Sequence, residues 1–261
     1  MRSVDIERLG DELHAAMRGR HTVTPLTGRP GGLTIGDAYL VSRRLLARRT
    51  AEGERVIGKK IGVTSEAVQR MLDVHQPDFG FLTDAMLFDD GATVRIDDTL
   101  IQPRAEGEIA FVLARDLAGP GVTERDVLAA TRCVRPCFEI VDSRIRDWKI
   151  RVEDTIADNA SSGVFVLGAA EADPRAVDLV SCRIRVDKNG APLSEGVGAA
   201  ALGSPVTCVA WLANTLGQFG IPLTAGEVIL SGSLVPLEPV RASDRMHLVL
   251  EGIGEASVEF A

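Results

Sequence analysis

The stretch IQPRAEGEIAF, residues 101–111, sets two carboxylates, Glu106 and Glu108, two positions apart at the head of an apolar run. Alternate residues of a β-strand share a face, so a strand here puts both acids on the side that also carries Ala110 and Val112. That parity makes the acid face an interior one. Two neighbouring anions are too costly to bury unless a cation neutralises them, and a metal ion is the simplest such cation. A second apolar stretch, PCFEIVDSR at 136–144, is interrupted in the same manner by Glu139. Three carboxylates form an all-oxygen set, which suits a hard divalent ion, Mg²⁺ or Mn²⁺, better than zinc or copper. The residues alone leave a second arrangement open, in which Glu106 and Glu108 line a solvated strand face and Glu139 pairs with an arginine.

The rest of the chain is that of an ordinary globular protein. Its 261 residues are enough for a sizeable core, and 45% hydrophobic with 25% charged residues is a typical balance. A formal net charge of −8 gives no footprint for a nucleic acid. Cys133, Cys137, Cys182 and Cys208 stand in apolar surroundings and lack a second metal-ligand pair, so they read as reduced core thiols of a cytoplasmic protein. The apolar runs are broken by Gly, Pro or charge, and no membrane span is expected.

Apolar residues recur at helical spacing over 4–17 and 35–51, on either side of the Pro- and Gly-rich break HTVTPLTGRPGG. These helices form an N-terminal appendage over residues 1–53. RVIGKKIGV then reads as a buried strand in which neighbouring Lys59 and Lys60 take opposite faces, one reaching solvent and one pointing inward. Thr64-Ser65-Glu66 caps a short helix to about Leu72. Pro77 and Gly80 mark a turn that carries Asp78. The polar segment at 143–163 places Asp158, Asn159, Ser161 and Ser162 in a loop. Asn189-Gly190 marks a two-residue hairpin. Gly196, Gly198 and Ala201 imitate a dinucleotide fingerprint without the strand-helix-strand unit that would make one. Ser204 caps a helix, apolar on almost all sides, that ends near Gly217, and at least three strands follow. Many strands with few helices between them give an α+β class with a mixed or antiparallel sheet.

GKKIGVTS, VHQPDFGFLTDAM, QPRAEGEIAF, PCFEIVDSRI, DNASSG and GEVILSGSLVPLEP, in that order, resemble the 2-keto-4-pentenoate (2-hydroxypenta-2,4-dienoate) hydratases of the fumarylacetoacetase-related superfamily. The resemblance covers essentially the whole chain. It implies a mixed β-roll or sandwich core of the fumarylacetoacetase C-terminal-domain type over residues 54–261. It implies Mg²⁺ or Mn²⁺ held by Glu106, Glu108 and Glu139, an active-site lysine at Lys60, an acid at Asp78, and contacts to the substrate carboxylate from Ser161 and Ser233. The expected reaction adds water to 2-hydroxypenta-2,4-dienoate in the meta-cleavage breakdown of aromatic compounds. The rival expectations are a paralogous 2-oxo-3-hexenedioate (4-oxalocrotonate) decarboxylase and a non-catalytic partner subunit of that enzyme. The resemblance further implies a homo-oligomer, as a fivefold ring or paired rings, and association with the decarboxylase. A substrate that ends in a bare vinyl group needs an apolar far wall, expected from Phe79, Phe81 and Leu82.

Overall fold

The computed structural model describes residues 3–65, 69–70, 74 and 76–261. Most of the helix expected from Thr64 to Leu72 lies outside the described residues. Two helices open the chain, α1 (Ser3–Gly19) and α2 (Ile35–Ala51). Thr34 and Asp37 start α2 with a reciprocal capping box, the Asp37 amide donating to Thr34 Oγ1 at 3.1 Å, a device that stabilises a helix by about 1 kcal/mol. Leu9, Leu13 and Ala16 of α1 and Ala38, Val41 and Leu45 of α2 face one another at helical spacing, and Ile145, Val152 and Ile156 complete that core. The 143–163 segment is therefore more than a loop. It contains a helix, Val152–Ala157, whose apolar residues the N-terminal helices cover.

The strands are β1 (Val56–Gly62), β2 (Asp78–Thr83), β3 (Leu87–Asp89), β4 (Thr93–Val94), β5 (Pro103–Leu113), β6 (Thr131–Asp142) and β7 (Ser162–Leu167). After them come β8 (Arg183–Lys188), β9 (Ala191–Val197), β10 (Val228–Leu230), β11 (Glu238–Pro239), β12 (Arg245–Leu250) and β13 (Gly254–Phe260). A curled eight-stranded sheet runs β2-β1-β10-β5-β6-β7-β3 with β11 beside β5, and a five-stranded sheet runs β4-β13-β12-β8-β9. β1 pairs in parallel with β10 and β3 with β7, while β5, β6 and β7 are antiparallel. The expected α+β class with a mixed sheet is what the chain adopts. Asn189-Gly190 turns β8 into β9, and the Gly196–Ala201 region is strand and 3-10 turn, with no nucleotide-binding unit around it.

One face of the large sheet, with Ile109, Phe111, Phe138 and Ile140, packs on the second sheet and on the helix Pro205–Gly217. Its other face carries the acids and a smaller apolar cluster that includes Leu82, Phe165 and Leu230. The four cysteines are free and buried. By length and composition alone Gly198–Gly217 could cross a bilayer, with mean hydropathy 1.3, but 56% of its 18-residue apolar window is buried inside the fold. Its α-helical part has 13 residues, about 20 Å against a hydrocarbon core of about 30 Å.

Candidate metal centre and active site

Strand register builds the site. Glu106 of β5 lies directly opposite Glu139 of β6, and Glu108 follows two residues on along the same face. Ligand oxygens of the three acids fall within 4.8 Å of one another. Glu108 and Glu139 are buried and Glu106 is partly exposed at the rim. Lys60 enters from β1, two strands away, and its Nζ stands 3.1 Å from Glu139 Oε1. Asp78 faces Gly62 across the β1–β2 pair, and a Cβ at Gly62 would sit 2.3 Å from Asp78 Oδ1 and 3.4 Å from Lys60 Nζ. Only glycine leaves room for that carboxylate beside the lysine. Asp78 is thus the first residue of a fully buried strand, where the sequence predicted a turn. Lys59 also departs from expectation, because both lysines are buried: Lys59 takes the opposite face and its Nζ meets both oxygens of Glu227 at 2.5 Å.

The electrostatics are those of crowded anions. Burial, then the charge of Glu139, pushes Glu106 up to about 7 against the pull of Lys60. Burial and the charges of Glu139 and Glu106 raise Glu108 well above the carboxylate range. Burial lifts Asp78 to about 6, again opposed by Lys60. For Lys60, burial favours the neutral amine, but Glu139, Asp78, Glu106 and Glu108 together overcome it and hold the ammonium above its ordinary range. Both oxygens of Glu139, both of Asp78 and Oε1 of Glu108 find no well-aligned hydrogen bond among the described residues. The poorly satisfied oxygens of Glu108 and Glu139, in a set of three acids whose ligand atoms lie within 4.8 Å of one another, fit a divalent cation.

A pH dependence follows. Glu106 titrates at about 7 in the folded chain against an ordinary 4.5, so between those values the metal-free fold binds more protons than the unfolded chain. Its contribution to stability is full at low pH and is lost as pH rises through about 7. Chelator-treated protein is expected to show a melting temperature that falls from pH 5 to pH 8, with excess Mg²⁺ restoring it most at the alkaline end. A metal-free melting temperature that rises over that range contradicts the assignment.

The fumarylacetoacetate hydrolase C-terminal model matches residues 55–261. The chain belongs to that family. It is 68% identical over 216 residues to a 2-hydroxypent-2,4-dienoate hydratase of Pseudomonas putida, covering 83% of this chain and 97% of the relative. It is 59% identical over 256 residues to a 2-hydroxyhexa-2,4-dienoate hydratase of Comamonas testosteroni, covering 98% and 97% of the two chains. Among solved structures, the 4-oxalocrotonate decarboxylase from Pseudomonas putida G7, complexed with magnesium and adipate, superposes with a TM-score of 0.96 at 34% identity over 100% of this chain and 99% of that one.

Within this fumarylacetoacetate hydrolase fold, several supporting residues had no visible signal in the sequence. The Gly232 amide donates to Glu108 Oε2 at 2.8 Å. Gly232 has φ +100°, and a Cβ there would stand 2.4 Å from the Thr64 side chain, so glycine is required. The expected loop acids and amides are structural partners. Asp158 is buried against Arg144, accepting from its backbone amide at 2.7 Å and from Nε at 2.5 Å. Asn159 clamps β2, its Oδ1 accepting from the Phe81 amide at 2.8 Å and its Nδ2 donating to the Phe81 carbonyl at 2.9 Å. Asn159, Ala160 and Ser161 are three successive residues with φ between 51° and 56°, a strained turn that such bonds must hold in place. The Ser161 hydroxyl lies 3.1 Å from that of Thr155. The Ser233 hydroxyl donates to the Val235 carbonyl at 2.5 Å. Both serines are therefore engaged locally, and the residues brought together with the acids are Lys60 and Asp78. The expected wall divides: Leu82 shares the Asp78 face, whereas strand alternation turns Phe79 and Phe81 to the other side. Phe165, opposite Glu139, and Leu230, opposite Lys60, stand on the acid face with Leu82.

Proposed function

We propose that this chain is a divalent-cation-dependent hydratase that converts 2-hydroxypenta-2,4-dienoate and water into 4-hydroxy-2-oxopentanoate. The observation that carries the reading is a buried face where three carboxylates meet Lys60 and Asp78 beside the apolar Leu82, Phe165 and Leu230. The hydratase relatives at 59% and 68% identity support it. Glu106, Glu108 and Glu139 are the residues that would hold Mg²⁺ or Mn²⁺. When bound, such an ion supplies positive charge against the negative charge that develops on the substrate 2-oxygen.

The protein's own groups handle the protons. The reaction needs a proton delivered to C5, water added at C4 and a proton delivered to C3, with the 2-hydroxyl proton removed. Lys60, held as an ammonium by its carboxylate neighbours, donates hydrogen bonds and steadies anionic oxygen. Asp78, titrating at about 6, exchanges a proton near neutral pH, as a general acid/base must. Among the groups that act most strongly on Asp78, Glu106 and Glu108, Lys60 is the positive charge common to all three. A dicarboxylate substrate would call for a further cation at its far end, because an unpaired buried carboxylate costs several kcal/mol, roughly.

The test supplies freshly generated 2-hydroxypenta-2,4-dienoate and its C5-methyl homologue to metal-free protein, with and without Mg²⁺ or Mn²⁺, and follows the dienoate absorbance. Rapid metal-dependent decay to 4-hydroxy-2-oxopentanoate is expected, with little CO₂ released from 2-oxo-3-hexenedioate. The opposite preference would refute the hydratase reading and leave the metal centre standing.

A further inference from the structure

Strand β2 carries Asp78 and is the end strand of its sheet, gripped by α2 from the side opposite the acids. Near the start of α2, Tyr39 stacks on Phe79 with ring centroids 4.4 Å apart and planes 14° apart, and Phe79 meets Phe81 edge-on at 6.1 Å. Near the end of α2, Arg49 Nη2 donates to Thr83 Oγ1 at 2.9 Å, and Glu54 Oε2 accepts from both Arg49 Nε at 2.7 Å and Thr83 Oγ1 at 2.6 Å. The spans match. Helical rise separates Tyr39 from Arg49 by about 15 Å, and strand rise separates Phe79 from Thr83 by about 13 Å. The helix therefore holds the strand at both ends.

Asp78 depends on that grip, because neither of its oxygens has a well-aligned hydrogen bond among the described residues. The donors that act on it are the backbone amides of Asp78 and Gly62, so the backbones of β2 and β1 determine where the carboxylate stands beside Lys60. We propose that Tyr39 is a positioning residue for Asp78, acting through Phe79 from behind the strand without touching substrate. The N-terminal helices, outside the matched family region at 55–261, thereby become part of the catalytic apparatus. The phenol senses the same neighbour: burial first, and then the Asp78 charge, make it harder to ionise.

The kinetic arm of the test rests on the hydratase reading and the spectroscopic arm does not. Tyr39 is the single tyrosine of the chain, so ring-labelled tyrosine gives one aromatic NMR spin system. Asp78→Asn is expected to move that signal, and the remote surface change His247→Gln to leave it in place; a signal blind to Asp78→Asn overturns the proposal. In turnover, Tyr39→Leu is expected to lower kcat about tenfold or more per folded molecule, as slight misplacement of a reacting group does. KM should stay within about threefold, and Tyr39→Phe, which keeps the stack, should recover kcat to within about twofold. Wild-type kcat in Tyr39→Leu, a loss that only tracks unfolded protein by circular dichroism, or equal impairment in Tyr39→Phe each overturns it. Wild-type protein that leaves the dienoate unchanged defeats the hydratase reading, and the labelled spectrum then decides the positioning role alone.

Discussion

Glu108→Gln is expected to lose its divalent cation and, with it, about 10²–10³-fold of the hydration rate, the equivalent of several kcal/mol of charge stabilisation. The amide keeps the shape of the side chain, so its carbonyl oxygen still accepts from the Gly232 amide, as Glu108 Oε2 does at 2.8 Å. Its NH₂ group is then a donor toward Glu106 and Glu139 at every pH, whereas Glu108 must take up a proton to relieve the same repulsion. The metal-free variant should therefore melt above metal-free wild type while binding little or no Mg²⁺. Elemental analysis after equilibration and a pair of melting curves check both halves. A variant that keeps full metal content and full turnover removes Glu108 from the ligand set.

Lys60→Met carries the opposite signature. Turnover is expected to fall by about 10²–10⁴-fold, the range for loss of a general acid/base or charge-stabilising group, while the ion stays bound because the ammonium is no ligand. Without the ion, the variant leaves Glu139 facing Glu106 and Glu108 with no cation, since the 3.1 Å contact to Nζ is gone. Metal-free Lys60→Met should then be less stable than metal-free wild type, by about 3–5 kcal/mol on the scale of broken buried ion pairs, and Mg²⁺ should recover most of the difference. Retained turnover in metal-loaded Lys60→Met would make the lysine a purely structural counter-ion.

The acids were legible because a period of two is a local property: Glu106 and Glu108 announce a shared face within three residues. Their partner Glu139 was legible as a flaw in an apolar run, but its place opposite Glu106 is a matter of strand register, which short-range pattern does not encode. Lys59 was misread for the same reason, its counter-ion Glu227 lying 168 residues further on. Asp78 was misread because Pro77 and Gly80 are turn residues by propensity, whereas the end strand begins immediately after the proline, where no ladder bond is missed. The helix Val152–Ala157 hid in a polar segment because its apolar residues find their cover on α1 and α2. The roles of Arg144 and Asn159, which bond to Asp158 and Phe81, depend wholly on what tertiary structure brings near them.

The side-chain clamp on β2 also bears on self-association. A terminal strand normally presents a row of free amides and carbonyls, an invitation to a strand from another molecule. Here Asn159 takes the Phe81 amide and carbonyl, the Met86 sulfur lies 3.3 Å from the Thr83 nitrogen, and the Phe79 amide lies close enough to the Tyr39 oxygen to favour its ionised form. The margin is sealed from within the same molecule, and displacing Asn159 from Phe81 would release a hold on the turn at 159–161. Backbone pairing through this margin is therefore blocked, and Asn159→Ala, which uncovers Phe81, is the change that would open it to sheet-to-sheet growth.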